Sequence, residues 1–226
     1  MWNGKKKAVT FSYDDGNEQD RRLVPLMNKY GVKGTFNINS GVQTPTRCRY
    51  EGDIAIRRMN IRELAPLYAG HEIAAHGLTH ASLPDFDYDA IRNEVELDKF
   101  YLEQYFHITV NGLAYPMGTY NDTVVQALKD CGYQYARTIE SNHSFALQED
   151  LLRFKPTCHH DDPEIFDLID RFLNSNSSEP QLLYIWGHSF EFDTHDNWDH
   201  MEEVLKRISG HDDVFYGTNT EVLLQH

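Results

Sequence analysis

Two hydrophobic periods alternate along this chain. Short apolar or alternating runs, which mark strands, are each followed by stretches whose apolar residues recur every three to four positions, which mark helices facing a core. The run Ala8-Val9-Thr10-Phe11-Ser12-Tyr13 predicts a strand over 7–13. Leu23, Leu26, Met27 and Tyr30 share one face of a helix predicted over 18–30, ended by Gly31. The same alternation predicts strands over 34–38, 72–75, 110–115, 133–138, 152–156, 182–186 and 214–216. Between them it predicts helices over 61–68, 88–106, 122–130, 164–174 and 199–208. Asp87 suits the N-cap of the longest helix, and Ile91, Val95, Leu102 and Phe106 form its apolar stripe. Residues 41–60 have no period and predict a long loop, a rim of a site. This βα alternation argues for an α/β fold with a parallel sheet. Seven or eight such units predict an irregular (β/α) barrel of about seven parallel strands, TIM-like in outline.

Composition narrows the function. The 226 residues fit one domain over 1–226, and 40% hydrophobic residues are ordinary for a globular enzyme. No stretch approaches about 18 uninterrupted apolar residues, so no membrane span is expected. Met1 to Lys7 contain no apolar leader, so the chain as it stands predicts a cytoplasmic protein, or an exported one had a signal been removed. A net charge of −14 argues against nucleic acid or an anionic membrane as partner. A neutral or cationic substrate fits better, and a sugar polymer is one option. Cys48, Cys131 and Cys158 are too few and too irregular for a disulfide framework or a zinc ribbon.

Six strand ends carry site chemistry. Asp14 and Asp15 follow the first strand, His76 and His80 the third, Tyr115-Pro116-Met117-Gly118 the fourth. Arg137 ends the fifth, His159 and His160 follow the sixth, and His188 follows the seventh. A ring of parallel strands brings such ends together on one rim. Carboxylates and imidazoles there suit a divalent metal and proton transfer. His76 and His80 are four residues apart, so a helical turn would set both on one side.

Tyr13-Asp14-Asp15-Gly16, His76-Gly77-Leu78-Thr79-His80, Tyr115-Pro116-Met117-Gly118 and the strand ending at His188 resemble, in order, the motifs of the polysaccharide deacetylases. This is the NodB-homology group, carbohydrate esterase family 4. The resemblance implies a metal-dependent hydrolase that removes N-acetyl or O-acetyl groups from an acetylated oligo- or polysaccharide. It implies Asp15, His76 and His80 as metal ligands, with zinc first and cobalt, nickel or manganese on the same atoms. It implies Asp14 as base, His188 as acid and the backbone N–H of Met117 as oxyanion donor. The family's third motif has an Arg where this chain has Ala114, and its fourth motif has Asp and Trp where this chain has Arg137-Thr138-Ile139-Glu140. The expectation is a swap in which Arg137 supplies the guanidinium that Ala114 lacks, with Arg153 next in line. Tyr115, His159 and Phe190 are expected to meet substrate, and His159 and His160 could instead hold an extra metal. Ala114 also leaves one alternative, a weakly active or inactive carbohydrate-binding protein that keeps the metal site; a second is a hydrolase of a non-sugar C–N amide on the same scaffold, against which the presence of Asp15, His76 and His80 together tells.

Overall fold

The computed structural model describes residues 1–225. Its first half runs β1 (Lys7–Asp14), α1 (Asp20–Lys29), β2 (Gly34–Ile38), a hairpin of β3 (Cys48–Glu51) and β4 (Ile54–Arg57), α2 (Ile61–Leu67), β5 (Glu72–Ala75) and α3 (Tyr88–Phe106). The second half runs β6 (Gly112–Ala114), α4 (Asp122–Asp130), β7 (Tyr135–Arg137), β8 (Cys158–His159), α5 (Ile165–Leu173) and β9 (Gln181–Gly187). It ends with α6 (Glu191–Thr194), α7 (Trp198–Ile208), β10 (Val214–Tyr216) and α8 (Asn219–Leu223). Seven parallel strands curl in the order β7-β6-β5-β2-β1-β9-β8, and β10 lies beside the first half of β1. The alternation predicts an irregular (β/α) barrel of about seven parallel strands; the sheet has these seven and curls as a half-barrel with β7 and β8 at its ends.

Strand parity decides what the barrel holds. Side chains alternate between faces with period two. Val9, Phe11 and Tyr13 of β1 face the surrounding helices and join the main core. Ala8 faces the interior with Leu182, Tyr184, Trp186 and Tyr135, which form a second cluster closed off by Val222 and Leu223 of α8. Asp14, Asn37, His76, Arg137 and His188 have this inward parity and sit at the C-terminal rim. Below them a buried polar network links the strands: Thr10 donates to Asn219 (3.0 Å) and Tyr135 to Glu72 (2.9 Å).

Four sequence expectations need correction. The strand over 152–156 is not formed. Leu151–Arg153 is a 3-10 turn, Phe154 makes one parallel bridge to Arg137, and true pairing with β9 begins at Cys158. This one segment serves two neighbours: Phe154 N donates to Ala136 O (3.0 Å), and Thr157 N donates to Tyr184 O (2.9 Å). Pro156, with no N–H, falls between them. The loop over 41–60 contains the β3–β4 hairpin, in which β3 is mostly exposed and β4 offers only the short apolar run Ile54-Ala55-Ile56, too brief to mark a strand by period. Helix α1 starts at Asp20 rather than 18, because Asn17 bridges Arg58 and Glu18 N donates to Arg57 O (2.9 Å). The short helices α6 and α8 lie where none is predicted.

Candidate active site

At the rim, Asp14 is 2% exposed and Arg137 1%. The Arg137 guanidinium grips the carboxylate, with Nη2 2.6 Å from Asp14 Oδ1. Asn37 Nδ2 donates to the same oxygen at 2.8 Å. Arg137 also stacks over Trp186, its Cζ 4.6 Å from the ring centroid. Ala114 is paired with Arg137 in register and offers no side chain to obstruct it. Arg153 instead pairs with Asp122 and Asp150 at the surface. Burial pushes the Asp14 carboxyl up, but the charges of Arg137, His76 and His188 outweigh it and hold Asp14 below its ordinary value.

Asp15, His76 and His80 offer ligand atoms that all lie within 4.8 Å of one another. Asp15 Oδ1 is 3.8 Å from His76 Nε2 and 3.5 Å from His80 Nε2. No helical turn joins the two histidines, contrary to the spacing argument. Residues 76–80 form an irregular loop in which Gly77 (φ 75°) and His80 (φ 61°) are left-handed. The chain doubles back there, and the two rings meet edge to face with centroids 4.9 Å apart.

The loop is pinned from α3. Asp98 Oδ2 accepts from His76 N (3.0 Å), and its Oδ1 accepts from Ser40 N (2.7 Å) and Ser40 Oγ (2.6 Å). His76 Nδ1 donates to Ala114 O at 2.8 Å, a bond that fixes the tautomer because a carbonyl can only accept. The Nε2 lone pair is then free, and that atom is buried with no hydrogen-bond partner. Burial lowers His76 to about 4, so the imidazole is neutral. A buried, neutral, unpartnered imidazole facing a carboxylate and a second imidazole fits a transition-metal ion. Asp15 itself lies well below the usual carboxylate range, where burial is outweighed by Arg58 and the histidines. Arg58 Nη2 is 2.6 Å from Asp15 Oδ1, and its Nη1 donates to Asn39 Oδ1 (2.7 Å) and Asp15 O (2.9 Å).

On the far side, His188 Nε2 is 3.9 Å from Asp14 Oδ2. Its Nδ1 donates to Glu191 Oε1 at 3.2 Å, and its backbone N–H to Glu191 Oε2 at 2.8 Å. Burial pulls the imidazolium down, yet Glu191 and the charges of Asp14 and Asp15 push it up to about 9. His159 Nδ1 accepts from Asp161 N (3.2 Å), so its Nε2 carries the proton and faces Glu191 Oε2 at 3.1 Å. His159 also belongs to two groups whose ligand atoms lie within 4.8 Å of one another, one with His160 and Asp161 and one with His188 and Glu191. His160 is fully buried between Tyr13 and Phe192, its ring 4.2 Å from that of Phe192.

These groups surround a cleft of about 260 Å³, whose walls include Met117, Trp186 and Phe190. Met117 is left-handed (φ 56°), and its side chain stands 59% exposed at the mouth. Tyr115 borders the cleft, but its hydroxyl donates away from it to Leu152 O (2.7 Å). His159 is not part of the lining. Sequence reasoning missed Arg58, Asp98 and Glu191. Asp98 had a signal, being a carboxylate on the apolar stripe of α3. Glu191 stands one turn beyond His188, and Arg58 had no signal.

A model of the family described as polysaccharide deacetylase matches residues 2–136. The chain belongs to the polysaccharide deacetylase family. The match takes in Asp14, Asp15, His76, His80 and Met117, while Arg137 and His188 lie beyond it. The Bacillus subtilis protein YxkH, provisionally named a polysaccharide deacetylase, is 28% identical over 139 residues, 60% of this chain and 46% of that one. The chain thus spans about half the length of the curated relatives it matches. A crystal structure from Mycobacterium smegmatis, also provisionally named a polysaccharide deacetylase, superposes with a TM-score of 0.69 at 19% identity, covering 97% of this chain and 90% of that one. The family 4 acetyl xylan esterase from Clostridium thermocellum, solved with a cobalt ion, gives 0.62 at 15% identity over 96% of this chain and 90% of that one. Likeness at these identities concerns the fold.

Proposed function

We propose that this polysaccharide deacetylase family member removes acetyl groups from the nitrogen or oxygen of a sugar, using a divalent metal ion held by Asp15, His76 and His80. Zinc is the first choice, and cobalt, nickel or manganese suit the same donors. Bound there, the ion would supply Lewis acidity to the acetyl carbonyl and lower the pKa of a coordinated water. The observation that carries this reading is the single carboxylate oxygen Asp14 Oδ2, which lies 3.9 Å from both His76 Nε2 and His188 Nε2. A base, a free ligand atom and an acid thus meet around one small cleft.

The chain's own residues divide the work. Asp14 Oδ2 takes the proton of the attacking water. Arg137 keeps that carboxylate ionised and fixes its rotamer, the part that Ala114 leaves vacant. The backbone N–H of Met117 donates to the oxygen that gains charge as water adds to the carbonyl carbon. His188, protonated at neutral pH and held through Nδ1 by Glu191, gives its Nε2 proton to the departing nitrogen or oxygen as the bond to carbon breaks. Acetate and the free amine or hydroxyl result. Phe190, with the exposed Met117 and Ile139, offers apolar surface to a sugar face.

Acetate release from N-acetylglucosamine oligomers and from acetylated xylan tests this. Release should vanish on chelation, return with zinc or cobalt, and be lost in Asp14→Asn. Tightly bound metal with no release from either substrate, or from an acetylated glycan that carries carboxylates, would overturn the catalytic assignment and favour carbohydrate binding alone.

A further inference from the structure

A second cavity of about 360 Å³ opens directly beside the catalytic cleft, and the two share Asp15, Arg49 and His80 as walls. Three arginines line it, Arg47, Arg49 and Arg58. This clustering is out of keeping with a chain of 35 acidic and 21 basic residues. The hairpin explains it locally. Arg47 leads into β3 and Arg49 lies within it, so period two sends both to one side, while Arg58 follows β4 on the return.

The three are not equally engaged. Arg58 is committed to Asp15 and Asn39. Arg49 touches its neighbour Glu51 at the surface and lies over the Phe190 ring, its Cζ 4.7 Å from the centroid. Exposed pairs such as Arg49–Glu51 are worth little and exchange readily. The neighbouring arginines Arg57 and Arg58 reach Glu18 and Asp15, but Arg47 pairs with no acidic group among the described residues. Two exposed guanidinium groups therefore face one concavity within reach of the acetyl site, with no internal anion matching both.

We propose that this cavity is an anion subsite, and that the substrate is an acidic acetylated glycan rather than a neutral one. The inference rests on the deacetylase reading and names its substrate class. The sugar unit next to the acetylated one would carry a carboxylate or phosphate, whose oxygens the planar forks of Arg47 and Arg49 grip pairwise. Phe190, beneath Arg49, joins the subsite to the cleft, so one glycan chain spans both. In a protein of net charge −14 this wall is a local concentration of positive charge. On this proposal local charge at the site, rather than the net charge of the chain, sets the sign of the substrate.

Binding to the Asp14→Asn variant of the 226-residue chain tests this without turnover. The probes are an N-acetylglucosamine tetramer and an N-acetylglucosamine–glucuronate tetrasaccharide, measured by calorimetry at low and high salt. The acidic probe should bind about 10-fold or more tightly than the neutral one, with the gap closing as salt rises. Adding Arg47→Gln, or separately Arg49→Gln, should bring the ratio close to one. Inorganic phosphate that displaces the acidic probe would point to phosphate as the natural anion, and displacement only by free glucuronate to carboxylate. Equal affinity for the two probes, or a preference that survives both substitutions, overturns the subsite alone. Failure to bind either probe overturns the carbohydrate reading and this inference together.

Discussion

Arg137 and Asp14 form a buried ion pair across the barrel mouth, and such a pair is costly to break from one side. Arg137→Gln should cost on the order of 3–5 kcal/mol of folding stability, because it leaves an uncompensated carboxylate. It should also move the acid limb of kcat/KM to higher pH. The base works ionised, Arg137 holds its carboxyl down against burial, and removal of that charge lets burial raise it. In the proposed mechanism the opposite limb belongs to His188. The acid works protonated, so activity falls as pH rises through its value, pushed up to about 9. Glu191→Gln keeps an acceptor for Nδ1 but removes the charge, so the alkaline limb should move to lower pH. One pH profile of the two variants checks both signs, and limbs that stay in place would remove the acid and base assignments. Asp14, Asp15, His76 and His188 were legible in the sequence because each stands where an apolar run stops. Arg58 was not, since it follows a short hairpin that the sequence does not announce and its partner lies 43 positions away.

At the scale of elements, α3 and β5 meet through a carboxylate. Asp98 interrupts the stripe of Ile91, Val95 and Leu102, and it uses its buried position to hold the backbone of His76 and Ser40. Asp98→Ala should weaken cobalt binding about 10–100-fold, as loss of an orienting group does, with a stability loss on the order of 1–3 kcal/mol. A cobalt titration beside a urea melt separates the two. An unchanged cobalt affinity in a folded variant would mean that the loop holds its shape without α3. Periodicity found β1, β2, β5 and β9 because each is apolar on both faces or bounded by clear turns. It failed at residues 152–159, where one segment bonds first to β7 and then to β9. No local pattern records that change of partner, which is set by the curvature of the whole sheet.

The molecule as a whole carries a pH signature outside the cleft. Asp20 is fully buried at the start of α1, accepts from the Tyr68 hydroxyl (2.5 Å), and is raised by burial to about 7. Its carboxyl binds a proton more firmly folded than unfolded. Its contribution is therefore complete below about pH 4 and is lost as pH rises to about 7, on the order of 4 kcal/mol in total. Asp20→Asn keeps an acceptor for Tyr68 and removes that slope. Urea midpoints of variant and wild type should diverge between about pH 5 and about pH 8 in favour of the variant. Parallel curves would mean that Asp20 stays ionised throughout. Arg58 has a consequence of a different kind. Each of the two rim aspartates already has its own guanidinium, so the rim is electrically balanced by the chain itself. Folding then need not wait for an ion, and a chelated sample should keep its shape. An incoming dication would meet a resident positive charge that is tethered and cannot leave, so its hold should be loosened and its exchange quick. Which metal the protein carries would then follow from what its surroundings supply more than from any preference of its own.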